Sequence, residues 1–149
     1  MNFERLFLLR EKNNLEQKEI AHIIGVSQQT YSTWEVGTKI IPLKHLNTMC
    51  NYYHVSLDYM LGLSNRNNNY KNIEKLNRVE IGKKIKIIRQ DNKLTLRSLA
   101  KELNTTSSTI SAYETGKTLI LTAFAYQIAK KYKISLDWLA GRSEIKTLN

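Results

Sequence analysis

If the segment between Ser27 and Gly37 is helical, Gln28, Gln29, Ser32 and Thr33 lie on its outer face, because Tyr31 and Trp34 then point inward. Amides and hydroxyls on an outer face offer donors and acceptors side by side, which is the chemistry of hydrogen-bonded recognition rather than of bond making. Residues for bond making are lacking. His22, His45 and His54 are dispersed, Cys50 has no evident base partner, and neither a phosphate loop nor metal-ligand spacing occurs. The expectation is a protein that is not an enzyme and needs neither cofactor nor metal.

The scaffold that would present this face occurs twice. Adding 79 to the numbers of Arg10, Leu15, Ala21, Glu35, Gly37, Tyr53, Ser56, Leu57, Asp58 and Gly62 gives Arg89, Leu94, Ala100, Glu114, Gly116, Tyr132, Ser135, Leu136, Asp137 and Gly141, with no gap. The 149 residues therefore divide into two units of about 60 residues each, near the lower limit for independent folding. Glycine and proline are scarce and sustained apolar–polar alternation is absent, so each unit reads as all-helical.

Apolar spacing predicts a first helix over residues 3–13 and a second over Gln17–Ile24, with Ile20, Ala21 and Ile24 inward. Gly25, matched by Asn104, suits a left-handed turn. Ser27 and Thr106 are good N-caps for a third helix that closes at Gly37 or Gly116. A fourth helix carries Leu43, Leu46, Met49, Cys50 and Tyr53 on its apolar face. A fifth begins at Ser56, with Asp58 near its positive end. The second copy repeats the series through Ile81, Leu99, Ile110 and Ser135, with Asn77 and Glu80 at capping-box spacing. Cys50 matches Ala129 and reads as a small core residue, and a lone cysteine permits no internal disulfide, which fits a reducing compartment.

Formal net charge is +10, unevenly placed: residues 1–66 carry 7 basic and 6 acidic side chains, residues 67–149 carry 16 and 7. A basic chain attracts polyanions, so a nucleic acid moves up the list of partners. The N-terminus MNFERLFLLR has charges inside its apolar stretch, which excludes a membrane span or secretion signal there and predicts a cytoplasmic protein with no membrane partner.

QKEIAHIIGVSQQTYSTWEVGTKIIP followed by VSLDYMLG resembles the phage-repressor, Cro-like (XRE) class of helix-turn-helix DNA-binding domains, and LRSLAKELNTTSSTISAYETGK with ISLDWLAG resembles it again. The resemblance implies two tandem five-helix, lambda-repressor-like domains. They would occupy residues 1–64 and 77–143, joined by an Asn-rich linker at 65–76 and followed by a tail at 144–149. It places the third helix in the major groove of double-stranded DNA. It puts base reading on Gln28, Gln29 and Thr33 with Ser32 beside them, and phosphate contacts on Gln17, Ser27 and Lys39, with Lys44 a further candidate. It makes Arg10 with Glu35, and Arg89 with Glu114, structural ion pairs. A glutamine amide can donate to adenine N7 and accept from N6.

The second copy departs from the family's pattern: Leu96 replaces Gln17, Ser107 and Ser108 replace Gln28 and Gln29, and Ala112 replaces Thr33. Its DNA candidates are Arg97, Lys101, Thr106, Ser107, Ser108, Ser111 and Lys117, with a poorer direct readout expected. Leu119, Ile120 and Leu121 could fill that unit's own core or form a dimer contact. SNRNNNYKN reads as a flexible connector, and from Ser64 to Asn77 it could span roughly 45 Å, enough to set the units on neighbouring major grooves. The resulting expectation is a sequence-specific transcriptional regulator, a repressor, with the first unit reading bases and the second adding DNA affinity, dimerisation or both. A homodimer or a regulatory protein partner is left open. The rival is a protein-interaction module such as an antitoxin or anchoring subunit.

Overall fold

The structure is a computed structural model that describes residues 1 and 3–148; Asn2, within the expected first unit, and Asn149, the end of the expected tail, lie outside the described residues. The first unit comprises α1 (Glu4–Lys12), α2 (Gln17–Ile24), α3 (Gln28–Val36), α4 (Leu43–Tyr53) and α5 (Leu57–Met60). The second comprises α6 (Arg78–Asp91), α7 (Leu96–Glu102), α8 (Ser107–Glu114), α9 (Thr122–Tyr132) and α10 (Leu136–Leu139). The described residues form no strand, only an isolated bridge between Ile134 and Thr147 that folds the expected tail back on its unit. No helix among them is long and apolar enough to cross a membrane.

Local signals account for most boundaries. Ser27 Oγ accepts from Thr30 N at 3.1 Å, and Thr106 Oγ1 accepts from Thr109 N at 3.2 Å, so α3 and α8 start where their caps dictate. Gly25 and Gly37 have φ of +79° and +89° and end α2 and α3 in the left-handed conformation. Asn77 caps α6, accepting from Val79 N and Glu80 N, but Glu80 does not complete the box and pairs with Lys83 instead. The predicted inward residues Tyr31, Trp34, Ile110 and Tyr113 are all buried, as is Cys50. One apolar cluster runs through both units.

A basic side chain locks the first helix of each unit to its last. The Arg5 guanidinium donates to Tyr59 O and lies over the Tyr59 ring; at the matching positions, Lys84 Nζ donates to Trp138 O at 2.6 Å and lies 5.0 Å from the Trp138 ring. One difference is steric. Gly82, where the first unit has the buried Phe3, packs so tightly that a methyl there would overlap the carbonyl oxygens of Tyr113 and Glu114.

Asp58 stands in the first turn of α5 as expected, but its carboxylate bonds across to the other unit: its Oδ1 accepts from Leu136 N and its Oδ2 from Ser135 Oγ, both at 2.6 Å. Its own helix is capped by Ser56 Oγ and by the crossing Asp137, which accepts from Leu57 N at 2.9 Å and Asp58 N at 3.0 Å. The Asn-rich connector, expected to be flexible, does not run free. Asn67 accepts from Ser56 N and donates to His54 O, Ile73 O accepts from Asn47 and Asn51, and Lys71 N donates to Arg142 O at 2.7 Å. The Asn67 amide, which reads as solvated in the sequence, bonds the backbone at the end of α4 and the start of α5.

The joint is closed by Arg142, a fully buried guanidinium. It bonds Asp137 at 3.1 Å, Asn47 at 2.7 Å, Asn51 at 2.6 Å and Val55 O at 3.1 Å, so one side chain ties α10 to α4. Beside it the apolar run splits. Ile120 is buried, Leu119 half-buried and Leu121 exposed, while the next residue, Thr122, donates to Ile41 O at 2.7 Å across the joint.

Candidate nucleic-acid interface

The α2–α3 pair is held from behind by a polar cluster. Arg10 Nε meets Glu35 Oε1 at 2.7 Å, Gln17 Nε2 donates to Glu35 Oε2 at 2.7 Å, and the Tyr31 hydroxyl donates to Glu35 Oε1 at 3.0 Å. Burial alone would raise the Glu35 pKa, but the three donors outweigh it and hold the carboxyl below its ordinary value; the hydrogen bond to Glu35 in turn raises that of Arg10. Ala21, almost fully buried, lies on the inward face of α2 as its spacing predicts. The expected Arg89–Glu114 pair forms too, at 2.7 Å, but Glu114 has neither of the other two donors, since Leu96 and Ile110 stand at their positions.

In front of this cluster Gln28 and Gln29 are exposed in the first turn of α3, and neither side chain is engaged with another of the described residues. Ser32 and Thr33 are half-buried on the same side, and Thr33 Oγ1 bonds back to Thr30 O at 2.6 Å. Lys39, after α3, and Lys44, in the first turn of α4, are exposed. Ser27 and Gln17 are half engaged in structure, Ser27 as the cap and Gln17 through its amide nitrogen. The donors at the N-terminus of α3 and the two lysines leave this side suited to an anion as well as to hydrogen-bonding edges.

The second unit presents a different surface. Leu96, Ser107, Ser108, Ser111, Ala112, Thr115, Gly116 and Lys117 line an open groove of about 720 Å³, and Arg97 and Lys101 stand exposed on α7. Thr106 is committed to its cap. Hydroxyls and two apolar side chains replace the amides, so this face can accept methyl groups and single hydrogen bonds but cannot make a bidentate amide contact.

The sequence comparisons agree with this geometry. A family model described as helix-turn-helix matches residues 6–60, and one described as helix-turn-helix domain matches residues 82–143. This chain is a tandem XRE-like helix-turn-helix protein. It is 36% identical over 64 residues to an uncharacterized HTH-type transcriptional regulator, YobD, of Bacillus subtilis (strain 168), an alignment covering 43% of this chain and 57% of that protein. The chain thus matches little more than half the length of that relative. No solved structure matches it significantly.

Sequence reasoning missed Arg142, the crossed aspartates and the Gln17–Glu35 bond. The first could have been noticed as a departure from the repeat, because Arg142 stands where the first unit has Leu63.

Proposed function

We propose that this tandem helix-turn-helix protein binds double-stranded DNA in a sequence-specific way and regulates transcription, acting as a repressor by occluding polymerase at the sites it occupies. The observation that carries the reading is the pair of exposed, unengaged amides of Gln28 and Gln29 at the start of α3, flanked by Lys39 and Lys44. Each amide matches the donor–acceptor pattern of adenine in the major groove. In this reading Gln28, Gln29, Ser32 and Thr33 read bases, Ser27, Gln17, Lys39 and Lys44 meet phosphates, and the unit at 77–143 adds affinity through Arg97, Lys101 and Lys117. The boundaries at 64, 76 and 143 separate the reading unit, the connector, the supporting unit and the tail. The protein works on the chromosome in the cytoplasm, and its action makes or breaks no bond.

Anisotropy with fluorescent duplex over a salt series tests this. Affinity should fall linearly on a log–log plot with a slope of roughly −0.9 per phosphate neutralised. Gln28→Ala with Gln29→Ala should abolish preference for a selected site over random duplex while leaving random-duplex binding nearly intact. Absence of binding at low salt would instead favour a protein partner.

A further inference from the structure

One pair of contacts across the joint, that of the two aspartates, is reciprocal at the offset of the sequence repeat. Asp58 accepts from Leu136 N while Asp137 accepts from Leu57 N, and 57 and 58 become 136 and 137 when 79 is added. An interface in which residue i meets j and the counterpart of j meets the counterpart of i is the mark of a two-fold axis. The joint thus relates the units as an isologous dimer relates its subunits, although they share one chain.

A second set of contacts brings this axis close to the recognition helices. Thr122 Oγ1 meets Ile41 O at 2.7 Å, and these residues follow the closing glycines Gly116 and Gly37 by only six and four positions. At the maximum reach of an extended chain, the ends of α3 and α8 lie within roughly 45 Å of one another, a span that accommodates the ~34 Å between successive major grooves on one side of a duplex. Arg142 and the fastened connector hold this relation fixed.

We propose that a single chain acts as a covalently joined two-fold pair and grips one operator composed of two unlike half-sites, the first met by α3 and the second by α8. This rests on the DNA-binding reading given above. The half-sites run in opposite directions, as a two-fold requires, but differ in sequence, because Gln28 and Gln29 face one and Ser107 and Ser108 face the other. Covalent union makes the second engagement intramolecular, so a weak reader at α8 contributes affinity that it could not supply alone.

The test is selection of bound sites from a random duplex pool with the full chain, followed by stoichiometric titration and hydroxyl-radical footprinting on the winner. One chain per duplex, protection of two successive major grooves on one side, and a loss of about tenfold or more in affinity when half a turn of DNA is inserted between the half-sites are expected. Ser107→Ala with Ser108→Ala should relax preference in the second half-site only. Two chains on a palindrome, protection of one groove, or indifference to the insertion would overturn the proposal and leave DNA binding standing. Failure to enrich any site would overturn the DNA-binding reading itself.

Discussion

The carboxylates of Asp58 and Asp137 cap each other's helices across the joint between the two units. Both are buried; Asp137 accepts from two backbone N–H groups and Asp58 from one N–H and a hydroxyl, each at the start of a helix, where negative charge is favourable. Two anions in one dry site repel, and Arg142 compensates only the Asp137 side. Burial first, and then the charge of Asp137, pushes the Asp58 pKa up to about 7.

A stability that declines as pH rises follows from that shift. The folded protein holds the Asp58 proton more tightly than the unfolded chain, so the group's contribution is full below the unfolded value of 3.8 and is lost as pH rises through about 7. Glu35 acts with the opposite sign at lower pH, because its folded value is depressed. Urea unfolding should therefore show a lower midpoint at about pH 8.5 than at about pH 6.5. Asp58→Asn should flatten that difference, since an uncharged amide still accepts from Leu136 N. An unchanged pH slope in this variant would show that another group is responsible.

Glu35 and Glu114 occupy equivalent positions but support different loads. Removing Glu35 takes a partner from Arg10, the Gln17 amide and the Tyr31 hydroxyl together, whereas removing Glu114 takes one from Arg89 alone. Glu35→Ala should cost about 3–5 kcal/mol, the range for breaking a buried pair, and Glu114→Ala clearly less. Equal losses in denaturant unfolding would mean that Gln17 and Tyr31 add nothing to the pair.

Gly82 sits inside α6, where alanine would ordinarily stabilise a helix by up to about 1 kcal/mol. Here the added methyl meets the carbonyl oxygens of Tyr113 and Glu114, which are backbone atoms and cannot swing aside. Gly82→Ala should therefore destabilise by about 1–3 kcal/mol, seen as a lower melting temperature. A stabilised variant would show that α6 can slide away from α8 without loss.

Much of each unit was legible because its determinants are local: Ser27 and Thr106 cap the helices that follow them, and Tyr31 and Trp34 mark an inward face by spacing alone. The joint was not. The repeat places an aspartate at 58 and at 137, but a match of the sequence to itself cannot say whether each serves its own helix or the other's. Gln17 likewise reads as a surface amide, and its commitment to Glu35 depends on a crossing of helices separated by 18 positions. Residues 65 to 72 have the composition of a flexible connector, and only the folded arrangement supplies the partners of Asn65 and Asn67.

Arg142 is the residue through which the joint is most directly testable. It is fully buried, its guanidinium bonds Asp137, two side chains of α4 and Val55 O, and the aligned Leu63 shows that the fold tolerates an aliphatic residue at this point of a unit. Arg142→Leu leaves Asp137 buried without its counter-charge and should cost about 3–5 kcal/mol. That loss falls on the contact between units more than on either core. Each unit carries one tryptophan, Trp34 in the first and Trp138 in the second, so single-tryptophan variants (Trp34→Phe or Trp138→Phe) report the units separately. With Arg142 present, the two fluorescence transitions in urea should coincide, as a single cooperative unit requires. With leucine in its place they should separate, the less stable unit melting first. Coincident transitions at an unchanged midpoint would mean that the crossed aspartates and the apolar contact hold the units together without the arginine.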